Sequence, residues 1–134
     1  MRKIDLIVVH CSATREGQEL PPETLDRLHR ERGFRCTGYH YYLRRSGEVV
    51  NTRPVELPGA HAKGYNAHSI GVCYEGGLDF YGHPADTRTP EQRKSLYQLL
   101  TDLQETYPHA RVCGHRDLPH VHKACPCFDV KTGL

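Results

Sequence analysis

Asp5-Leu6-Ile7-Val8-Val9-His10 sets four apolar residues in a row, three of them β-branched, between an acid and a histidine. A run this short, with no polar alternation, reads as a strand covered on both faces, the pattern of a central strand in a sheet flanked by helices. His10 closes the run, so it emerges where a rigid frame presents side chains for chemistry.

Moving outward from that strand, helical and strand signals interleave. Pro21-Pro22 suits a first helical turn, Leu25 and Leu28 recur at helical spacing, and Gly33 ends the segment. Gly38 to Leu43 is rich in strand-forming aromatics, Arg44-Arg45-Ser46-Gly47 reads as a turn, and Glu48 to Asn51 completes a hairpin. Ser69 to Glu75 is a further buried strand stopped by Gly76-Gly77, and Leu78 to Arg88 reads as a loop. Thr89-Pro90-Glu91-Gln92 is a capping box, opening a helix with Leu96, Leu99, Leu100 and Leu103 on one stripe that runs to about Tyr107, before Pro108. Ala110 to Cys113 is the last short strand. The expected fold is α/β: one domain over residues 1–134, with a mixed central sheet of about five strands flanked by two main helices.

The chain of 134 residues carries 18 Lys and Arg against 16 Asp and Glu, a net charge of +2 that gives no strong basic field, so no nucleic-acid partner is expected. No signal peptide or membrane span is encoded, which makes the expected place of synthesis the cytoplasm and excludes a membrane partner. In reducing surroundings the six cysteines are not read as three disulfides, and Cys11, Cys73 and Cys113 are expected to be small buried strand residues. Eight Tyr against three Phe and no Trp hint at rings that meet sugar or peptide.

The densest chemistry lies in Cys113-Gly114-His115-Arg116-Asp117-Leu118-Pro119-His120-Val121-His122-Lys123-Ala124-Cys125-Pro126-Cys127. Histidine nitrogen and cysteine sulfur are the donors zinc prefers, and a catalytic zinc takes three protein ligands and leaves one position to water. His10 is the best remote candidate to join the tail. His120 and His122 compete with His115, and Cys127 competes with Cys125. Cys127 can be a harmless substitution, a second or replacement ligand, or a redox partner of Cys125; with both thiolates and both histidines bound, the site would be closed and structural.

Five segments in register resemble one family. Val9-His10-Cys11-Ser12-Ala13-Thr14, Gly38-Tyr39-His40, His61-Ala62-Lys63-Gly64-Tyr65-Asn66, Ser69-Ile70-Gly71-Val72-Cys73 and Lys123-Ala124-Cys125-Pro126 are similar to the type 2, zinc-dependent N-acetylmuramoyl-L-alanine amidases. The likeness is nearest to the small lysozyme-amidases of T-odd coliphages and extends to animal peptidoglycan recognition proteins. It implies one Zn2+ per chain on His10, His115 and Cys125, with Tyr39 and Lys123 as catalytic residues. His61, Lys63 and Asn66 are implied to form a substrate-groove wall, with His29, His40, His68, His83 and His109 left as structural or surface residues. The implied reaction is hydrolysis of the amide between the muramic acid lactyl group and L-Ala of peptidoglycan by a monomer that reaches the wall after release or lysis. A non-catalytic peptidoglycan-binding module of the same fold and a Cys-x-Cys redox or structural zinc protein are the competing expectations.

Overall fold

The computed structural model describes residues 2–134. Its core is a five-stranded sheet built around β1 (Leu6–Cys11), every residue of which is buried. In chain order the other elements are β2 (Thr14–Arg15), α1 (Pro22–Glu31), β3 (Tyr41–Leu43), β4 (Val49–Asn51), β5 (Ser69–Tyr74), β6 (Gly77–Leu78), α2 (Pro90–Thr106) and β7 (Arg111–Gly114). The main sheet runs β4-β3-β5-β1-β7, parallel except for the β3–β4 hairpin, and β2 pairs with β6 in a small separate ribbon. The mixed sheet between two helices is as expected.

Alternation along β1 sends its residues to two faces. Ile7, Val9 and Cys11 pack with Val72, Tyr74, Leu96, Leu100 and Leu103 on the α2 face, which the tail residues Phe128 and Val130 complete. Leu6 and Val8 face the other way, toward Ala62 and Leu118, while Leu25 of α1 meets Tyr42 and Cys73. Leu28 projects outward at 40% exposure, because α1 covers the sheet with one stripe only.

The expected capping box at Thr89 is present, and Gln92 does more than cap. Fully buried, it donates from Nε2 to the carbonyls of Leu43 (3.2 Å) and Glu75 (2.9 Å) and accepts at Oε1 from the Thr89 amide (3.0 Å), tying the start of α2 to β3 and to the residue just past β5. Two expectations need adjustment. Gly77–Leu78, read as a strand stop and loop, forms the β2–β6 ribbon, and Cys113 is half-buried because β7 is an edge strand with one open flank.

Candidate metal centre

The register Val9↔Gly114 between β1 and β7 sets His115, the residue just past β7, beside His10 at the carboxyl end of two adjacent parallel strands. That end of an α/β sheet is where ligands bind, because parallel strands all finish at the same edge. The two imidazole rings lie with centroids 4.6 Å apart. The tail then folds back over this edge. Arg116 N donates to Cys125 O (2.9 Å) and the buried Tyr74 hydroxyl donates to Pro126 O (2.6 Å), pinning Cys125 on either side.

Candidate ligand atoms of His10, His115 and Cys125 all lie within 4.8 Å of one another. Cys125 Sγ stands 4.0 Å from His10 Nδ1, near the roughly 3.6 Å that a tetrahedral zinc with ordinary Zn–S and Zn–N bonds would impose. The Cys11 amide donates to Cys125 Sγ at 3.2 Å, a contact that favours a negatively charged sulfur. Burial first, then the neighbouring His61, His115 and Lys123, holds the His10 pKa well below its usual value; burial and Lys123 lower that of His115. Both rings are therefore neutral near pH 7, the form that coordinates metal. Two imidazoles, one thiolate and room for a fourth ligand fit a catalytic zinc.

Cys127 is directed elsewhere. Its sulfur lies 3.9 Å from Cys11 Sγ, and Cys127 neither joins the three-residue cluster nor lines its cavity. His120 and His122 are exposed on the tail, outside the three-residue cluster.

Tyr39 and Lys123 line the same cavity of about 260 Å³ as His10, His115 and Cys125. The Tyr39 ring sits 5.0 Å from that of His10. Burial, reinforced by the thiols of Cys73, Cys125 and Cys11, pushes its phenol well above the usual range, so it stays protonated. Its backbone is tightly held: Tyr39 O accepts from Thr52 Oγ1 (2.7 Å), and Gly38 N donates to His29 Nδ1 (2.8 Å). Gly38 has no substitute here, since a Cβ would fall 2.3 Å from Ala60 O. Lys123 is exposed at the rim.

The His61–Asn66 loop borders the centre in two ways. Lys63 is exposed and lines, with His115 and Lys123, a neighbouring groove of about 310 Å³. Asn66 Oδ1 accepts from the amides of His61 (3.0 Å) and Ala62 (2.9 Å), so it shapes the loop from inside. His61 Nδ1 approaches His10 Nε2 at 2.9 Å, a contact the loop's polar composition gave no way to foresee. Burial, then His40 and His115, lowers the His61 pKa to about 3.

The N-acetylmuramoyl-L-alanine amidase family model, Amidase_2, matches residues 1–128. The chain belongs to this amidase family. Endolysins of Enterobacteria phage K11 and Escherichia phage T7 are each 42% identical to it, over 93% and 95% of this chain and 84% and 83% of theirs. Among solved structures, the amidase LysC from Clostridium intestinale superposes with a TM-score of 0.82 at 29% identity, over 96% of this chain and 79% of LysC. Drosophila PGRP-LB, at 19% identity, shares the amidase fold with a TM-score of 0.78 over 94% of this chain and 76% of its own. Among the described residues no helix is long and apolar enough to cross a membrane.

Proposed function

We propose that this chain is a zinc-dependent N-acetylmuramoyl-L-alanine amidase, active as a monomer, that hydrolyses the amide joining the muramic acid lactyl group to L-Ala in peptidoglycan. The observation that carries this reading is the convergence of His10, His115 and Cys125 in one cavity with Tyr39 and Lys123. Membership of the amidase family and the likeness to phage endolysins support the choice of bond. An enzyme of this kind meets its substrate in the cell wall after release or lysis.

His10, His115 and Cys125 would hold a zinc ion, which when bound would supply Lewis acidity and a water of pKa roughly 7. The chain's own residues do the rest. The amide from Cys11 shares the charge of the Cys125 sulfur, and so limits how far that thiolate quenches the metal. The Lys123 ammonium, at the cavity rim, stabilises the oxyanion that forms when the carbonyl carbon becomes tetrahedral. Tyr39, protonated and beside His10, holds a proton for the departing L-Ala nitrogen, which is a poor leaving group as an anion. Lys63, on the adjoining groove, faces the stem peptide, while His61 and Asn66 build the wall behind it.

Mass spectrometry of a defined muropeptide tests the assignment. The expected products are the intact stem peptide with a free L-Ala amine and the glycan with a free lactyl carboxyl, formed with zinc bound and not after chelation. Cleavage at another bond, or none by zinc-loaded protein, refutes it.

A further inference from the structure

One side chain at the centre, so far only part of the groove wall, is given unusual room by the fold. His61 lies against His10 with the rings at 89° and centroids 5.0 Å apart, and both its nitrogens are engaged: Nδ1 with His10 Nε2 at 2.9 Å, Nε2 with Ser69 Oγ at 3.2 Å. Two glycines admit the ring. A Cβ on Gly71, in the middle of the buried strand β5, would fall 2.7 Å from the His61 ring, and a Cβ on Gly59 would fall 2.4 Å from its Cδ2. Glycine inside a strand gives up packing and costs backbone entropy, so a glycine there marks a close approach that the fold needs. Neither glycine has a positive φ, so conformational freedom does not account for them.

We propose that His61 is a positioning residue for the metal: by accepting a hydrogen bond from His10 Nε2–H it fixes the tautomer and ring plane of His10, leaving Nδ1 free for zinc. The inference rests on the zinc reading above. Coordination through Nδ1, the atom 4.0 Å from Cys125 Sγ, requires the His10 proton on Nε2. His61 then accepts at Nδ1 and carries its own proton on Nε2, which it donates to Ser69 Oγ. Ser69, fully buried at the start of β5, anchors the relay in the sheet. A metal-bound histidine oriented through its other nitrogen is a general device, and loss of the partner costs about ten- to a hundred-fold in metal affinity.

The test is zinc affinity, measured by competition with a chromophoric chelator, in the parent chain and in His61→Ala, His61→Phe and His61→Asn. Ala and Phe lack the acceptor and are expected to bind zinc about ten- to a hundred-fold more weakly. Asn, whose Oδ1 can stand near the position of the histidine Nδ1, is expected to recover most of the loss. Parent-like affinity in folded His61→Ala or His61→Phe overturns the proposal. A parent that binds no zinc overturns the metal reading itself, a different result. Where a variant fails to fold, 15N NMR of the zinc-loaded parent decides: a proton on His10 Nε2 and on His61 Nε2 upholds the relay, and a proton on His61 Nδ1 overturns it.

Discussion

Cys125 and Cys127 differ by one residue of spacing and should differ completely in their effect on metal. Zinc that binds the folded chain alone stabilises it by about 2.7 kcal/mol when free zinc is a hundred times its dissociation constant. A chain of 134 residues unfolds with an entropy of about 0.28 kcal/mol/K, taking about 2.1 cal/mol/K per residue, so that stabilisation raises Tm by about 10 °C. Cys125→Ala removes one of three ligands that stand within 4.8 Å of one another and should abolish the rise. Cys127→Ala removes a sulfur whose neighbour is Cys11 at 3.9 Å. Its backbone, at φ 69°, is no worse for alanine than for cysteine, so the expected loss is about 1 kcal/mol of baseline stability with the zinc shift intact. Differential scanning calorimetry with and without zinc reads both effects. A zinc shift that survives in Cys125→Ala, or disappears in Cys127→Ala, refutes the ligand assignment.

Tyr39→Phe and Lys123→Ala should keep stoichiometric zinc and lower kcat/KM about a hundred-fold, the usual loss when one transition-state donor goes; absence of zinc in either variant would assign it a ligand-holding role instead. Gln92→Ala gives up three hydrogen bonds, two of them buried, and should cost about 3 kcal/mol in urea unfolding, with an unchanged zinc site. Burial alone would raise the Glu75 carboxyl pKa, but hydrogen bonds from Leu20 N, Arg44 and Arg45 N outweigh it and leave the group below the usual 4.5. With a folded pKa below the unfolded one, its stabilisation is present above the unfolded value and fades as pH falls through the folded one. Glu75→Gln should therefore flatten the acid limb of the stability profile, and an unchanged limb would contradict the stabilisation assigned to those hydrogen bonds.

The main frame was legible because its signals are long or chemically redundant. Leu6 to Val9 can only be a covered strand or a buried helical turn, and the flanking turns decide between them. Thr89-Pro90-Glu91-Gln92 announces a helix start by three independent devices. The β2–β6 ribbon was not legible, since two-residue strands carry no period and owe their pairing to the chain segments they join. At the centre, residue types pointed to a His and Cys site and the resemblance supplied the ligand set. What sequence withheld was direction. Only the placed tail tells that Cys125 turns to His10 and His115 while Cys127 turns to the sulfur of Cys11. The contact between His10 and His61, separated by 51 residues, was equally hidden, although Gly59 and Gly71 were the trace it left in the sequence.

One ligand sits in the buried strand β1 and a second directly past β7, while the third arrives on an irregular tail held by Arg116 and Tyr74. During synthesis Cys125 is therefore added ten residues after His115, when the strand that carries His10 is already long made. A chain stopped before Cys125 would lose the third ligand and, with Phe128 and Val130, part of the core packing at the same time. A single protease cut in the exposed stretch around His120 would sever Cys125 from His115 along the chain, leaving Arg116, Tyr74 and the buried Phe128 and Val130 to hold the third ligand in place.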